Sequence, residues 1–198
     1  MRNRCFSLRP TLFFSRLDDF IVVSEQKKIN AVMGITSTSA RSYENIEAQL
    51  WGGEVSWSIG FSRSLMLLGG VSYTRGLQFA GPGNTAPSGN MAEVPPLKTR
   101  ASLRYGNSLF FGEINMLATS RQDNVAPYLL EQTTAGYTLL GLKGGIHHKK
   151  LSFSAGVENL TNRFYYQHMS YQRDPDRIGT RIPEPGRTVF TNVSFNFE

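Results

Sequence analysis

Apolar and polar side chains alternate at every second position through much of this chain, in segments about ten residues long. Over 96–106, Leu97, Thr99, Ala101, Leu103 and Tyr105 fall on one face of an extended backbone, and Lys98, Arg100, Ser102 and Arg104 fall on the other. Over 187–197, Val189, Thr191, Val193, Phe195 and Phe197 alternate with Phe190, Asn192, Ser194 and Asn196. Over 151–157, Leu151, Phe153, Ala155 and Val157 oppose Ser152, Ser154 and Gly156. A period of two belongs to strands; a helix repeats its apolar positions at three and four.

The remaining segments follow with local departures. Over 109–120, Phe110, Ile114, Met116 and Ala118 oppose Glu113 and Asn115, with Phe111 and Leu117 on the polar side. Over 137–146, Leu140, Leu142 and Ile146 oppose Lys143. Segment 43–59 places Ile46, Ala48 and Leu50 on one face, then changes parity to Val55, Trp57 and Ile59; Gly52-Gly53 at the change predicts a β-bulge. Segment 65–75 carries Leu65, Leu67, Val71 and Tyr73, and 11–23 is the least regular. Eight strands result, in four up-and-down pairs.

Their connections alternate in length. Turns at 61–64, 106–108 and 147–150 are short, and the loops at 25–42, 77–95, 121–135 and 163–186 are long and polar. Outer-membrane barrels connect strands this way, with short turns on the periplasmic side and long loops outside. No stretch reaches the roughly 18 consecutive apolar residues of a spanning helix, so a membrane role must run through strands. The mean hydropathy of −0.27 agrees, since a barrel strand turns every second residue to water. Aromatics near strand ends, Phe20, Trp51, Trp57, Tyr73, Tyr105, Tyr137 and Phe190, supply either interfacial girdles or the core of a soluble sandwich.

Other classes find little support. The one cysteine, Cys5, excludes an internal disulfide framework and a multi-cysteine metal site. There is no Gly-rich phosphate loop, G-x-S-x-G elbow or H-E-x-x-H helix, and two of the three histidines are adjacent, so the chain is expected not to be an enzyme and to need no cofactor. Basic residues scatter over strand faces and loops instead of forming one stripe, which argues against nucleic acid. Residues 1–10 lack the apolar core of a secretory signal, so an exported barrel is expected to be the downstream part of a longer protein.

Two C-terminal motifs add a resemblance. Gly156-Val157-Glu158-Asn159-Leu160-Thr161-Asn162-Arg163-Phe164-Tyr165-Tyr166 precedes a long loop, and Pro183-Glu184-Pro185-Gly186-Arg187 precedes the final strand. This arrangement resembles the end of TonB-dependent outer-membrane receptors, and 14–21 and 43–54 are similar to mid-barrel strands of that family. The resemblance implies an all-β fold, an antiparallel up-and-down transmembrane β-barrel of which 1–198 is the C-terminal portion, about eight of about 22 strands. It places the chain in the cell outer membrane, without the plug domain and signal peptide.

The function so implied is energised uptake of a metal chelate such as a siderophore, in a truncated or split receptor. Its partners are outer-membrane lipid and lipopolysaccharide, a small nutrient ligand, and the TonB energy-coupling complex through the missing N-terminal part. The net charge of +6 favours anionic ligands. Candidate ligand-binding residues are Tyr165, Tyr166, His168, Tyr171, Arg173, Arg177 and Arg181 in the last loop, with Lys98, Arg100 and Arg104 on a lumen face. His168-Met169 is a weak hint of a copper ligand pair, and no metal site is assigned. The alternative is a small eight-stranded outer-membrane barrel that closes by itself and serves a structural or adhesion role.

Overall fold

The computed structural model describes residues 6–27, 40–170 and 181–197. The eight alternating segments form long strands: β1 (Phe6–Lys27), β2 (Ala40–Gly60), β3 (Leu65–Phe79), β5 (Lys98–Gly106), β6 (Phe110–Thr119), β7 (Tyr137–His148), β8 (Leu151–Glu158) and β9 (Thr188–Phe195). Each pairs antiparallel with its neighbours in chain order, while the two-residue β4 (Gly89–Asn90) adds to β3 alone. One turn of 3-10 helix, Pro127–Leu129, is the only helical element among the described residues.

The registers sort side chains onto two faces. Glu54, Ser72, Lys98 and Thr119 lie in line across β2, β3, β5 and β6, as do Arg104, Glu113, Lys143 and Gly156 across β5 to β8. The opposite face carries Leu65, Leu103, Ile114, Leu142, Val157 and Val189. Ile114 is 54% exposed although large and apolar, and its neighbours Leu103 and Leu142 are exposed too. A continuous apolar wall of this kind is stable against hydrocarbon and not against water.

Aromatic rings border that wall. Tyr105 and Phe110 meet near the short turns, with ring centroids 5.7 Å apart, and Trp51 meets Tyr73 edge-on at 5.8 Å near the far border. Phe20, Tyr137 and Phe190 share the polar face instead. The Phe6/Ile59 and Phe14/Trp51 pairs lie eight residues apart on β1. That length of strand spans roughly 27 Å, and a tilt of ~40° leaves roughly 20 Å of height, close to the apolar band of an outer-membrane barrel.

Two expectations are corrected. Pairing of β2 runs unbroken through Gly52 and Gly53, so no bulge lies there. The parity change reflects a change of surroundings: Val55, Trp57 and Ile59 face outward within the apolar band, whereas Ile46 and Ala48, 4% and 0% exposed, face inward beneath a loop above it. Of the two register shifts in β1, the one between Leu17 and Phe20, where Asp19 adopts φ 56°, moves Phe20 and Val22 onto the inner face. That slip explains why 11–23 reads irregularly.

Among the described residues the sheet does not close on itself. Among the described residues β1 pairs with β2 alone and β9 with β8 alone, contrary to the self-contained eight-strand barrel. Both outer strands therefore present free backbone donors and acceptors.

Candidate ligand-binding surface

Long strand ends carry the inner face above the apolar band, and the loop between β3 and β5 folds back over it. Ala86 packs with Val22 and Ile46, and Met91 and Val94 pack with Ala48, so apolar residues hold the loop down. Polar side chains fix its path. Gln78 donates to the Pro87 carbonyl at 2.7 Å and meets the Tyr128 hydroxyl at 3.0 Å, and Gln122 donates to the Val94 carbonyl at 2.7 Å.

Two carboxylates complete the attachment. Glu44 accepts from the Thr85 hydroxyl, from the Ala86 N–H at 3.1 Å and from the Thr85 N–H at 2.8 Å. The Thr85 hydroxyl foremost, then the amides, holds the Glu44 carboxyl down at about 2 against an ordinary 4.5. The attachment is therefore complete above pH 4.5 and is lost as pH falls through about 2. Hydrogen exchange at the Thr85 and Ala86 amides should accelerate across that window, and in Glu44→Gln the acid-induced change should disappear.

Glu131 joins three loops. It accepts from the Ala126 N–H at 2.6 Å, the Glu93 N–H at 2.8 Å and His168 Nε2 at 3.0 Å, and the His168 Nδ1 lies 2.9 Å from the Thr134 hydroxyl. Both side chains of the Glu131–His168 pair are 1% exposed. Burial opposes the charge on Glu131, but the His168 ring and the two amides outweigh it and hold the carboxyl below its usual range.

The two C-terminal motifs interlock. Asn159 and Asn162 both adopt left-handed φ, 50° and 51°. Asn159 accepts from the Arg163 N–H and donates to its carbonyl, each at 2.8 Å. Asn162 accepts from the Arg187 N–H at 2.9 Å, and Arg187 Nε donates to the Leu160 carbonyl at 3.0 Å. Asn159→Ala should cost about 2 kcal/mol, because it removes two part-buried hydrogen bonds to the Arg163 backbone and a residue tolerant of that φ. Urea titration of the purified protein measures the loss.

The sequence-named residues fall in several places. His168 is enclosed in the Glu131 junction. Tyr165 lies against Tyr137 with centroids 4.5 Å apart and the rings tilted by 41°, and burial, with Glu184, Tyr137 and Glu158 nearby, pushes its phenol up. Tyr166 meets Phe164 edge-on at 5.2 Å, and Arg181 donates to the Thr133 carbonyl. Tyr171, Arg173 and Arg177 lie outside the described residues. Lys98, Arg100 and Arg104 line one inner face; Arg100 pairs with Glu54 at 3.1 Å, and Arg104 lies over Phe111. Sequence reasoning missed Glu44, Gln78, Gln122 and Glu131, whose partners are distant in the chain. It also left Phe111 unexplained, although that ring on a polar face was the visible signal. No group of three or more His, Cys, Asp or Glu side chains among the described residues is arranged to hold a metal ion.

The model of the TonB dependent receptor-like, beta-barrel family matches residues 4–160. Among solved structures, the copper transporter OprC superposes with a TM-score of 0.77 at 22% identity, over 96% of this chain and 29% of its own. The FrpB iron transporter from Neisseria meningitidis (F5-1 variant) gives 0.68 at 17%, over 96% and 29%. The siderophore receptor PirA from Acinetobacter baumannii gives 0.63 at 18%, over 97% and 30%. The chain thus spans less than a third of each of these proteins. No curated protein matches it. Strand order, two-faced wall and matched length agree: the chain belongs to the TonB-dependent receptor family and is built as part of its outer-membrane β-barrel.

Proposed function

We propose that this chain forms the C-terminal wall of an outer-membrane receptor for energised uptake of a small metal chelate, with the plug and the contact to the TonB complex supplied by other parts of the receptor. The carrying observation is the pairing of a lipid-facing outer wall with a basic inner wall roofed by stapled loops. The inner wall carrying Lys98, Arg100 and Arg104 suits an anionic solute, because cations on a low-dielectric wall focus their field inward. Tyr165, Tyr166 and Arg181 stand at the loop end, where a ligand arrives first, and Tyr171, Arg173 and Arg177 belong to the same loop. The similar structures named for copper, iron and siderophore transport support the ligand class. The outer wall would contact membrane lipid and lipopolysaccharide.

The open sheet favours this reading over a self-closed adhesion barrel. Deleting the gene in its host and measuring uptake of radiolabelled iron and copper under metal limitation tests it. Uptake of one metal should fall and be restored by the gene; unchanged uptake of both contradicts the proposal.

A further inference from the structure

We propose that the outer wall near the short turns holds one phospholipid with an anionic headgroup, an acyl chain lying in a furrow over Gly112, Gly144 and Ala155 and the phosphate meeting the lysines of the β7–β8 turn. The proposal goes beyond the uptake reading and depends only on the outer wall facing lipid.

Tyr105, Gly112, Gly144 and Ala155 lie in register across β5 to β8, on the same outer face as Leu103, Ile114, Leu142 and Val157 and one row nearer the short turns. Beyond them, toward the turns, come Phe110, Ile146 and Phe153. Large side chains thus flank a row of small ones, and the hollow there, lined also by Leu65 and Val189, measures about 640 Å³. Crowding within the chain does not explain the glycines. Among the described residues, a Cβ on Gly112 would meet no atom within 4 Å beyond its chain neighbours, and one on Gly144 only the Phe111 carbonyl at 3.4 Å. On the inner face, by contrast, Cβ atoms on Gly145 and Gly156 would strike the Phe111 and Phe190 rings at 2.6 and 2.5 Å. Pairing runs unbroken through Gly112 and Gly144, so neither marks a bulge. A glycine in mid-strand weakens the strand, and where no bulge or internal contact calls for it, it marks the close approach of a partner.

Position and charge select the occupant. This face is turned away from the lumen, so nothing enclosed by the barrel covers it. The short turns 61–64, 106–109 and 147–150 contain Arg63, Lys149 and Lys150 and no Asp or Glu. Lys149 and Lys150 form the tip of the β7–β8 hairpin, five residues from Gly144 and Ala155 respectively. Both are exposed and neither forms an ion pair among the described residues. His148, paired with Leu151 and two residues past Ile146, faces outward beside them. Five residues of strand span roughly 17 Å, or about 13 Å of height at a tilt of ~40°, close to one leaflet of a ~30 Å hydrocarbon layer. A phosphate held at the turn therefore lays its acyl chain along the hollow, and the lysines favour a headgroup with net negative charge.

The test uses the protein extracted from outer membranes into dodecyl maltoside and incubated with equal amounts of phosphatidylglycerol and phosphatidylcholine of matched acyl chains, the bound lipid being counted by native mass spectrometry. One phosphatidylglycerol should be retained, in preference to phosphatidylcholine by roughly tenfold. The Lys149→Gln/Lys150→Gln double variant should lose that preference. Gly112→Leu, which fills the furrow, should reduce retention of phosphatidylglycerol about tenfold with heat-modifiable gel mobility preserved, and Ala155→Leu, filling it from the other side, should repeat the loss. Equal retention of the two lipids by the parent protein, an undiminished preference in the double-lysine variant, unchanged retention in both filled variants, or an added protein mass in place of lipid overturns the site.

Discussion

Replacing Glu131 by alanine is expected to loosen three loops at once. The carboxylate receives two backbone amides and a histidine from 93, 126 and 168, and the substitution strands all three donors in a buried site. Leaving three buried donors without their carboxylate acceptor costs about 3 kcal/mol or more, so exchange of the Glu93 and Ala126 amides should rise roughly a hundredfold. His168→Ala should act in the same direction with a smaller effect, since both amide bonds to Glu131 survive. Glu47→Ala supplies the contrast. Its pair with Arg16 is 58% exposed on both sides, and its loss should cost under about 1 kcal/mol. Equal exchange in Glu131→Ala and the parent protein would show that the loops are held by apolar packing alone.

The second large effect lies on the outer wall. Ile114→Arg should destabilise the membrane-inserted protein by about 2–4 kcal/mol, because the guanidinium would sit in hydrocarbon midway along β6. Asn115→Arg, one residue along and on the water-facing side, should change stability by less than about 1 kcal/mol. Urea unfolding in lipid vesicles measures both. Similar losses at 114 and 115 would mean that the two faces do not see different solvents.

Much of this architecture is legible from alternation, because a strand between lipid and water repeats its environment every two residues. Segments 96–106, 151–157 and 187–197 read cleanly for that reason. Where a strand leaves the membrane the rule changes without any change of geometry. Ile46 and Ala48 turn inward beneath a folded loop, so a two-residue pattern slips in sequence at Gly52-Gly53 although the pairing is continuous. The true slip, at Asp18 and Asp19, carries two acidic residues and no glycine, so nothing in composition marks it. The loop attachments are also hidden. Glu131 and His168 are 37 positions apart and Glu44 and Thr85 are 41 apart, and only the fold brings them together. Asn159 and Arg187 were visible because their motifs repeat a familiar arrangement; that they bond to each other's segments was not.

The two solvents of the wall can be measured directly by single-cysteine scanning of residues 98–105 on β5, in a Cys5→Ser background and in native outer membranes. A water-soluble maleimide should label positions 98, 100, 102 and 104, while 99, 101, 103 and 105 stay protected and report a lipid environment to an attached fluorophore. Uniform labelling, or protection recurring every third or fourth residue, would contradict a strand standing between hydrocarbon and water.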